Sequence, residues 1–89
     1  MESDKLKPNK DVVSRRVGDE VVLVHLERDT MYALNRTGAR AWELLNEGLD
    51  LEATEAALAE EFGVDRAEVR RELESLIAEL EHEHLVEKV

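Results

Sequence analysis

Cysteine, proline and aromatic residues are scarce in this sequence of 89 residues, and each shortage sets a limit. The chain has no cysteine, which excludes disulfide bonds and thiolate metal sites and fits a reducing cytoplasm. Its single proline, Pro8, lies in a polar N-terminal stretch. The only aromatic residues are Tyr32, Trp42 and Phe62, so the core must consist mainly of valine, leucine and alanine.

Long apolar segments are also missing. No run approaches the roughly 18–20 apolar residues that a membrane span requires, and the N-terminus lacks the apolar region of a signal peptide. We therefore expect a cytoplasmic protein without a membrane partner.

A chain of 89 residues predicts one domain, which buries roughly 60–68% of its unfolded surface.

Positive charge is scarce in the C-terminal half. Residues 1–42 contain seven acidic and eight basic residues, whereas residues 43–89 contain fifteen acidic and four basic ones. The two halves carry net charges of +1 and −11, which give the total of −10. Most of these acids are explained as solvated helix faces. They nevertheless repel a phosphate backbone, so we predict no nucleic-acid partner.

The first half of the chain predicts a three-stranded antiparallel meander. A β-prone run at 12–17 is joined by a turn signal at 18–19 to a strongly apolar run at 21–27. Both faces of this second run are apolar, which indicates a central strand covered on each side. After a turn at 28–29, residues 30–34 form a short, uncharged strand at one edge, without the lysine or proline that blunts edges.

Three helices follow, each with a capping signal. Asn35, Asp50 and Asp65 are good N-cap residues, and glycines at positions 48 and 63 end the first two helices. The predicted helices span about 36–47, 51–62 and 66–83. The tail at 85–89 adds a short strand or packs on the core. We read residues 1–10 as a loose arm and residues 11–89 as one domain.

These elements define an α+β fold in which a three-stranded antiparallel sheet precedes three α-helices. The second and third helices are separated only by the segment 63–65 and resemble a helix-turn-helix. A sheet attached to three such helices is a winged-helix-like arrangement.

No constellation for catalysis or metal binding is visible in the sequence. His82 and His84 point about 200° apart on a helix, so they do not chelate one ion, and we read His25 as a hydrogen-bonded, half-buried residue of the central strand. No serine has a histidine partner that the sequence places nearby. The glycines have turn, cap or packing explanations and form no phosphate loop. We predict a chain that is not an enzyme and holds no metal or cofactor.

Segments over roughly residues 10–87 carry a family resemblance. They are Val22–Glu27, Tyr32–Asn35, Thr37-Gly38, Trp42–Leu45, Gly48, Leu58–Phe62 and the closing Leu73, Leu76, Leu80, Leu85 and Val86. These segments resemble the PqqD-like proteins of pyrroloquinoline-quinone biosynthesis, which are stand-alone recognition elements for ribosomally made, modified peptides. Cofactor-pathway members typically carry Pro-Glu-Gly after the central strand, where this chain has Leu26–Asp29. That departure favours the small B1-type proteins of lasso-peptide pathways.

The resemblance implies non-catalytic capture of the leader segment of a precursor peptide. It also implies two further partners, a cysteine-protease-like leader peptidase and an ATP-dependent macrolactam synthetase, to which the captured substrate is presented. A PQQ-type peptide chaperone for a radical SAM enzyme is an alternative. A winged-helix DNA-binding protein and an enzyme subunit without an independent role also stay open.

The resemblance further implies where the leader binds. Taken alone, the edge at 30–34 is either a plain structural edge or a docking edge; the resemblance favours docking by β-strand addition. The residues expected to pair with the leader are Thr30, Met31, Tyr32, Ala33 and Leu34. In the groove we expect the third helix to contribute Leu73 and Ile77, with Arg70 and Glu74 at the rim. Two further apolar residues of that helix, Leu76 and Leu80, are expected in the core.

Overall fold

A computed structural model describes residues 6–88 as an α+β, winged-helix-like domain. The elements in chain order are β1 (Leu6–Pro8), β2 (Val12–Val17), β3 (Glu20–His25), β4 (Thr30–Leu34), α1 (Arg36–Asn46), α2 (Leu51–Phe62), α3 (Arg66–His82) and β5 (Val86–Lys88). The predicted three-stranded antiparallel sheet followed by three helices is confirmed. No helix within residues 6–88 is long and apolar enough to cross a bilayer.

The main sheet has the order β2-β3-β4, with β3 in the middle. On its inner face the side chains of Val21, Leu23 and His25 are buried against the helices. On its outer face Val22 and Val24 stay half-buried. The expectation that β3 is covered on both sides is therefore wrong for the outer face. The described residues leave that face open.

The predicted caps are confirmed at the start of all three helices. The side chain of Asn35 accepts from the amide of Gly38 at 2.9 Å, which starts α1 directly after β4. Asp50 and Asp65 cap α2 and α3 in the same way. Gly63 ends α2 in the left-handed conformation at φ +63°, where a side chain is unfavourable.

The N-terminal arm is the main difference from the predicted fold. Residues 6–8 form β1, which pairs antiparallel with β5, and Leu6 is buried in the core. The prediction of a loose arm is therefore wrong for this part, while residues 1–5 lie outside the described residues. Residues 6–8 form a strand because they pair with β5, which is distant in sequence. A three-residue strand that contains Pro8 becomes stable only beside the chain's other end, where Leu85 and Val86 are buried.

The apolar stripe of α3 closes the core. Val69, Leu73, Ile77 and Leu80 are buried, while Leu76 is half-buried at one margin of the stripe. Because the stripe packs on α2 on one side and meets β4 on the other, α3 presents two different grooves to solvent.

Candidate functional site

Some main-chain groups of β4 point away from β3, at the outer edge of the sheet. The alternation of hydrogen-bonded pairs along the sheet identifies the residues that carry these groups. Hydrogen-bonded pairs alternate along an antiparallel ladder. The amide of Leu26 donates to the carbonyl of Asp11 at 2.9 Å, so the even-numbered residues of β3 direct their amides toward β2. The odd-numbered residues of β3 therefore form hydrogen-bonded pairs with the even-numbered residues of β4. The amides and carbonyls of Met31 and Ala33 consequently point out of the sheet.

A groove of about 430 Å³ lies between this edge and α3. It is lined on one side by Tyr32, Ala33, Leu34, Asn35 and Thr37, and on the other by Arg71, Glu72, Ser75, Leu76 and Glu79. The half-buried Leu76 supplies an apolar wall, and charged side chains surround it on α3. An extended peptide placed here can bond to the β4 main chain while alternate side chains enter the groove.

Tyr32 ties the strand to the helix across the groove. Its hydroxyl donates to Oε2 of Glu79 at 3.0 Å. Partial burial raises the pKa of the Tyr32 phenol, and the hydrogen bond and negative charge of Glu79 and the charge of Glu83 raise it further. The phenol therefore stays protonated at neutral pH and remains the donor of the hydrogen bond that joins β4 to α3.

The predicted strand residues and the predicted helix residues do not share one groove. Arg70, Leu73, Glu74 and Ile77 line a separate cavity of about 320 Å³ between α2 and α3. The prediction that these four side chains face β4 is therefore wrong. Leu76, expected in the core, is the apolar residue that lines the β4 groove instead. Leu80 is fully buried, as predicted.

Helical geometry explains the misassignment. The two margins of the α3 stripe have the same 3.6-residue period, and only the packing of α3 decides which margin meets the sheet. Glu72, Leu76 and Glu79 lie at successive turns of one margin, whereas Leu73 and Ile77 lie on the other. Once one groove residue is known, the i−4 and i+3 spacing identifies its neighbours.

An ion-pair cluster with one buried member, Glu55, links α2 to α3. Glu55 is buried and accepts hydrogen bonds from Nε of Arg66 at 3.0 Å and Nε of Arg70 at 2.9 Å. The hydrogen bond from Arg70 is the largest cause that lowers the pKa of Glu55; it outweighs burial, and the charges of both arginines add to it. Arg70 thus joins two helices and is not at the rim of the β4 groove.

The histidines do not form a metal site in the described part of the chain. Within residues 6–88 no three histidine, aspartate or glutamate side chains converge on one point. His25 is buried, and its Nδ1 accepts from the amide of Arg28 at 3.2 Å, which stabilises the turn between β3 and β4. The hydrogen-bonded role expected for His25 is confirmed, but the side chain is buried and not half-buried as predicted.

The fold and its edge groove define a small winged-helix-like domain suited to binding a peptide strand. The profile of the family described as coenzyme PQQ synthesis protein D (PqqD) matches residues 20–86. Since this match covers most of the chain, the protein belongs to the PqqD family. A search of curated proteins gave no significant match.

Two solved structures are similar to this chain. TbiB1, in complex with the TbiA(beta) leader peptide, is 40% identical, with a TM-score of 0.86 over 91% of this chain and 94% of its own. A lasso peptide synthetase B1, complexed with the leader peptide, is 18% identical, with a TM-score of 0.86 over 93% of this chain and 98% of its own. At that lower identity the second structure supports the fold alone.

Proposed function

We propose that this protein binds the leader segment of a ribosomally synthesised precursor peptide as an additional strand beside β4. The observation that supports this best is the row of outward-facing main-chain groups at Met31 and Ala33, next to the apolar wall formed by Leu76. The 40%-identical TbiB1 was solved with a leader peptide, which supports the same class of ligand here.

The proposed contacts divide between main chain and side chains. Residues 30–34 contribute the strand edge, where backbone hydrogen bonds supply affinity that depends little on the leader sequence. The side chains of α3 that line the groove supply specificity, because every second leader residue points toward them. Leu76 accepts an apolar leader side chain, while Arg71, Glu72 and Glu79 select by charge.

The protein acts in this proposal without catalysing a reaction. Among the described residues that line the groove, Tyr32, Thr37 and Ser75 carry hydroxyls, and no histidine lines the groove to act as a base. The bound precursor is instead presented in the cytoplasm to a leader peptidase and a macrolactam synthetase.

A second candidate function is presentation of the precursor of a quinone cofactor to a radical SAM enzyme. The matching family profile, coenzyme PQQ synthesis protein D, favours it. Both candidates use the same edge, so the identity of the bound peptide separates them.

Isothermal titration tests the proposal and separates the two candidates. The chain is titrated with the leader of the precursor peptide encoded beside its gene, with a scrambled leader as control, and with a quinone-precursor peptide. The proposal predicts saturable one-to-one binding of the encoded leader alone. Binding of the quinone precursor alone supports the second candidate, and binding of neither peptide contradicts both.

A further inference from the structure

The cavity of about 320 Å³ between α2 and α3 has an apolar floor. The floor consists of Leu51 on α2 and of Leu73, Ile77 and Ala78 on α3. Leu73 and Ile77 are buried, whereas Leu51 is half-buried and Ala78 is exposed, so the floor is accessible from solvent. Because the β4 groove lies along the opposite margin of α3, this cavity stays free while a leader occupies that groove.

Acidic side chains form the rim of the cavity. Glu52, Glu74 and Glu81 line it, and within residues 6–88 no lysine or arginine forms an ion pair with any of them. The other two charged residues of the lining, Glu55 and Arg70, neutralise each other through two hydrogen bonds of 2.9 and 3.1 Å. The rim therefore carries three uncompensated negative charges above an apolar floor.

These carboxylates stand where a positive charge is favoured. Glu81 lies in the last turn of α3, where the helix dipole stabilises cations and disfavours anions. The hydrogen bond and charge of Glu55 raise the pKa of Arg70, and the charges of Glu74 and Glu52 raise it further. The negative field of the rim thus extends across the cavity, and a cationic partner relieves the repulsion within it.

The arrangement of the rim disfavours a single metal ion and a second copy of the chain. Within the described residues no three carboxylate or histidine side chains converge on one point. Glu74 and Glu81 are two helical turns apart, about 10.5 Å along the axis, a distance that suits separate cationic groups. A second copy has a net charge of −10 and is repelled.

The walls of the cavity also select the conformation of its occupant. The main-chain groups of α2 and α3 bond within their own helices, so an extended segment finds no main-chain partners here. A helix satisfies its own main chain and can lay an apolar face into a groove. The occupant that matches the cavity is therefore an amphipathic helix with apolar anchors and basic flanks.

We infer that the α2–α3 cavity docks a basic amphipathic helix of the macrolactam synthetase. This inference rests on the proposed function. The peptidase cuts at the end of the leader and must reach the bound strand, whereas the synthetase closes a ring in the core peptide beyond the leader. The synthetase can therefore bind on the side of α3 that faces away from β4.

A matched pair of charge reversals tests the cavity. Glu74→Lys reverses a charge on the rim, and Glu60→Lys makes the same change at an exposed position of α2 that does not line the cavity. Ala78→Trp fills the floor without a change of charge and repeats the test should Glu74→Lys not fold. Titrations measure the affinity of each variant for the leader, and of each leader complex for the purified synthetase and peptidase, at low and high salt.

The expected result is that Glu74→Lys and Ala78→Trp keep their leader affinity and weaken synthetase binding by about fivefold or more, whereas Glu60→Lys changes neither. Added salt should weaken synthetase binding by the parent more than by Glu74→Lys. Equal synthetase binding by Glu74→Lys and Glu60→Lys, or salt-independent binding by the parent, overturns the inference. A loss confined to peptidase binding also overturns it. Failure of the parent to bind the leader contradicts the proposed function, whatever the synthetase titrations give.

Discussion

Proline substitutions at Met31 and Tyr32 distinguish the amides at the free edge of β4 from the amides that bond to β3. Met31→Pro removes an amide that points out of the sheet, and proline is tolerated on an edge strand when the lost N–H faces solvent. Tyr32→Pro removes an amide that donates within the hydrogen-bonded pair of Leu23 and Tyr32. We expect the first variant to fold without binding the leader well, and the second to lose stability.

The expected magnitudes follow from one hydrogen bond in each case. An unsatisfied partner at a buried position costs about 1–3 kcal/mol, which corresponds to an affinity for the leader weaker by about 5-fold to 150-fold in Met31→Pro. In Tyr32→Pro the same cost lowers the free energy of unfolding, which is about 4–13 kcal/mol for a chain of this length. Each 1 kcal/mol lowers the melting temperature by about 4–8 °C, so a fall of at least about 4 °C is expected.

Thermal unfolding and leader titration are measured on both proline variants and on Met31→Ala and Tyr32→Ala. The alanine variants keep the amides and report the loss of each side chain alone, including the bond from Tyr32 to Glu79. The reasoning is refuted if both proline variants stay as stable as their alanine controls and bind the leader like the parent. If Met31→Pro unfolds and Tyr32→Pro binds the leader, the assignment of the Met31 amide to the outer edge and of the Tyr32 amide to the bond with β3 is refuted.

Further variants test the two grooves of α3 separately. Leu76→Glu should weaken leader binding by about 1–3 kcal/mol because it puts a charge in the β4 groove, whereas Ala78→Glu, on the α2 side of the same helix, should not; equal titrations would contradict this. Ile77→Glu should lower the melting temperature, because Ile77 is buried; an unchanged melting temperature counts against it. The pKa of Glu55 is lowered from 4.5, mainly by Arg70, so its stabilising effect is complete above pH 4.5 and is lost as the pH falls through the lowered value. Glu55→Gln should therefore flatten the decline of the melting temperature below pH 4.5, and an unaltered decline would exclude that contribution.

The elements predicted well from the sequence are those with local signals. The turn signal at Gly18 and the β-prone runs on either side of it predicted the β2–β3 hairpin. Asn35, Asp50 and Asp65 predicted the helix starts because an N-cap acts on amides two or three residues away. The edge position of residues 30–34 followed from the order of short turns in the meander.

The features that the sequence did not predict depend on contacts between distant elements. The period of α3 identified Leu76 and Ile77 as apolar positions, but the packing of α2 decided that only Leu76 faces β4. Strand β1 forms because it meets β5 at the other end of the chain, and a three-residue run carries no periodicity of its own. The open outer face of β3 likewise reflects where the helices pack, which the apolar run at 21–27 does not reveal.

Amide hydrogen exchange of β4, with and without the leader, tests strand addition most directly. In the free chain we expect the outward amides of Met31 and Ala33 to exchange rapidly, while the amides of Tyr32 and Leu34 are protected by β3. Saturation with the leader should slow exchange at Met31 and Ala33. The account is contradicted if a saturating leader leaves both amides unprotected, because the peptide would then bind elsewhere than beside β4.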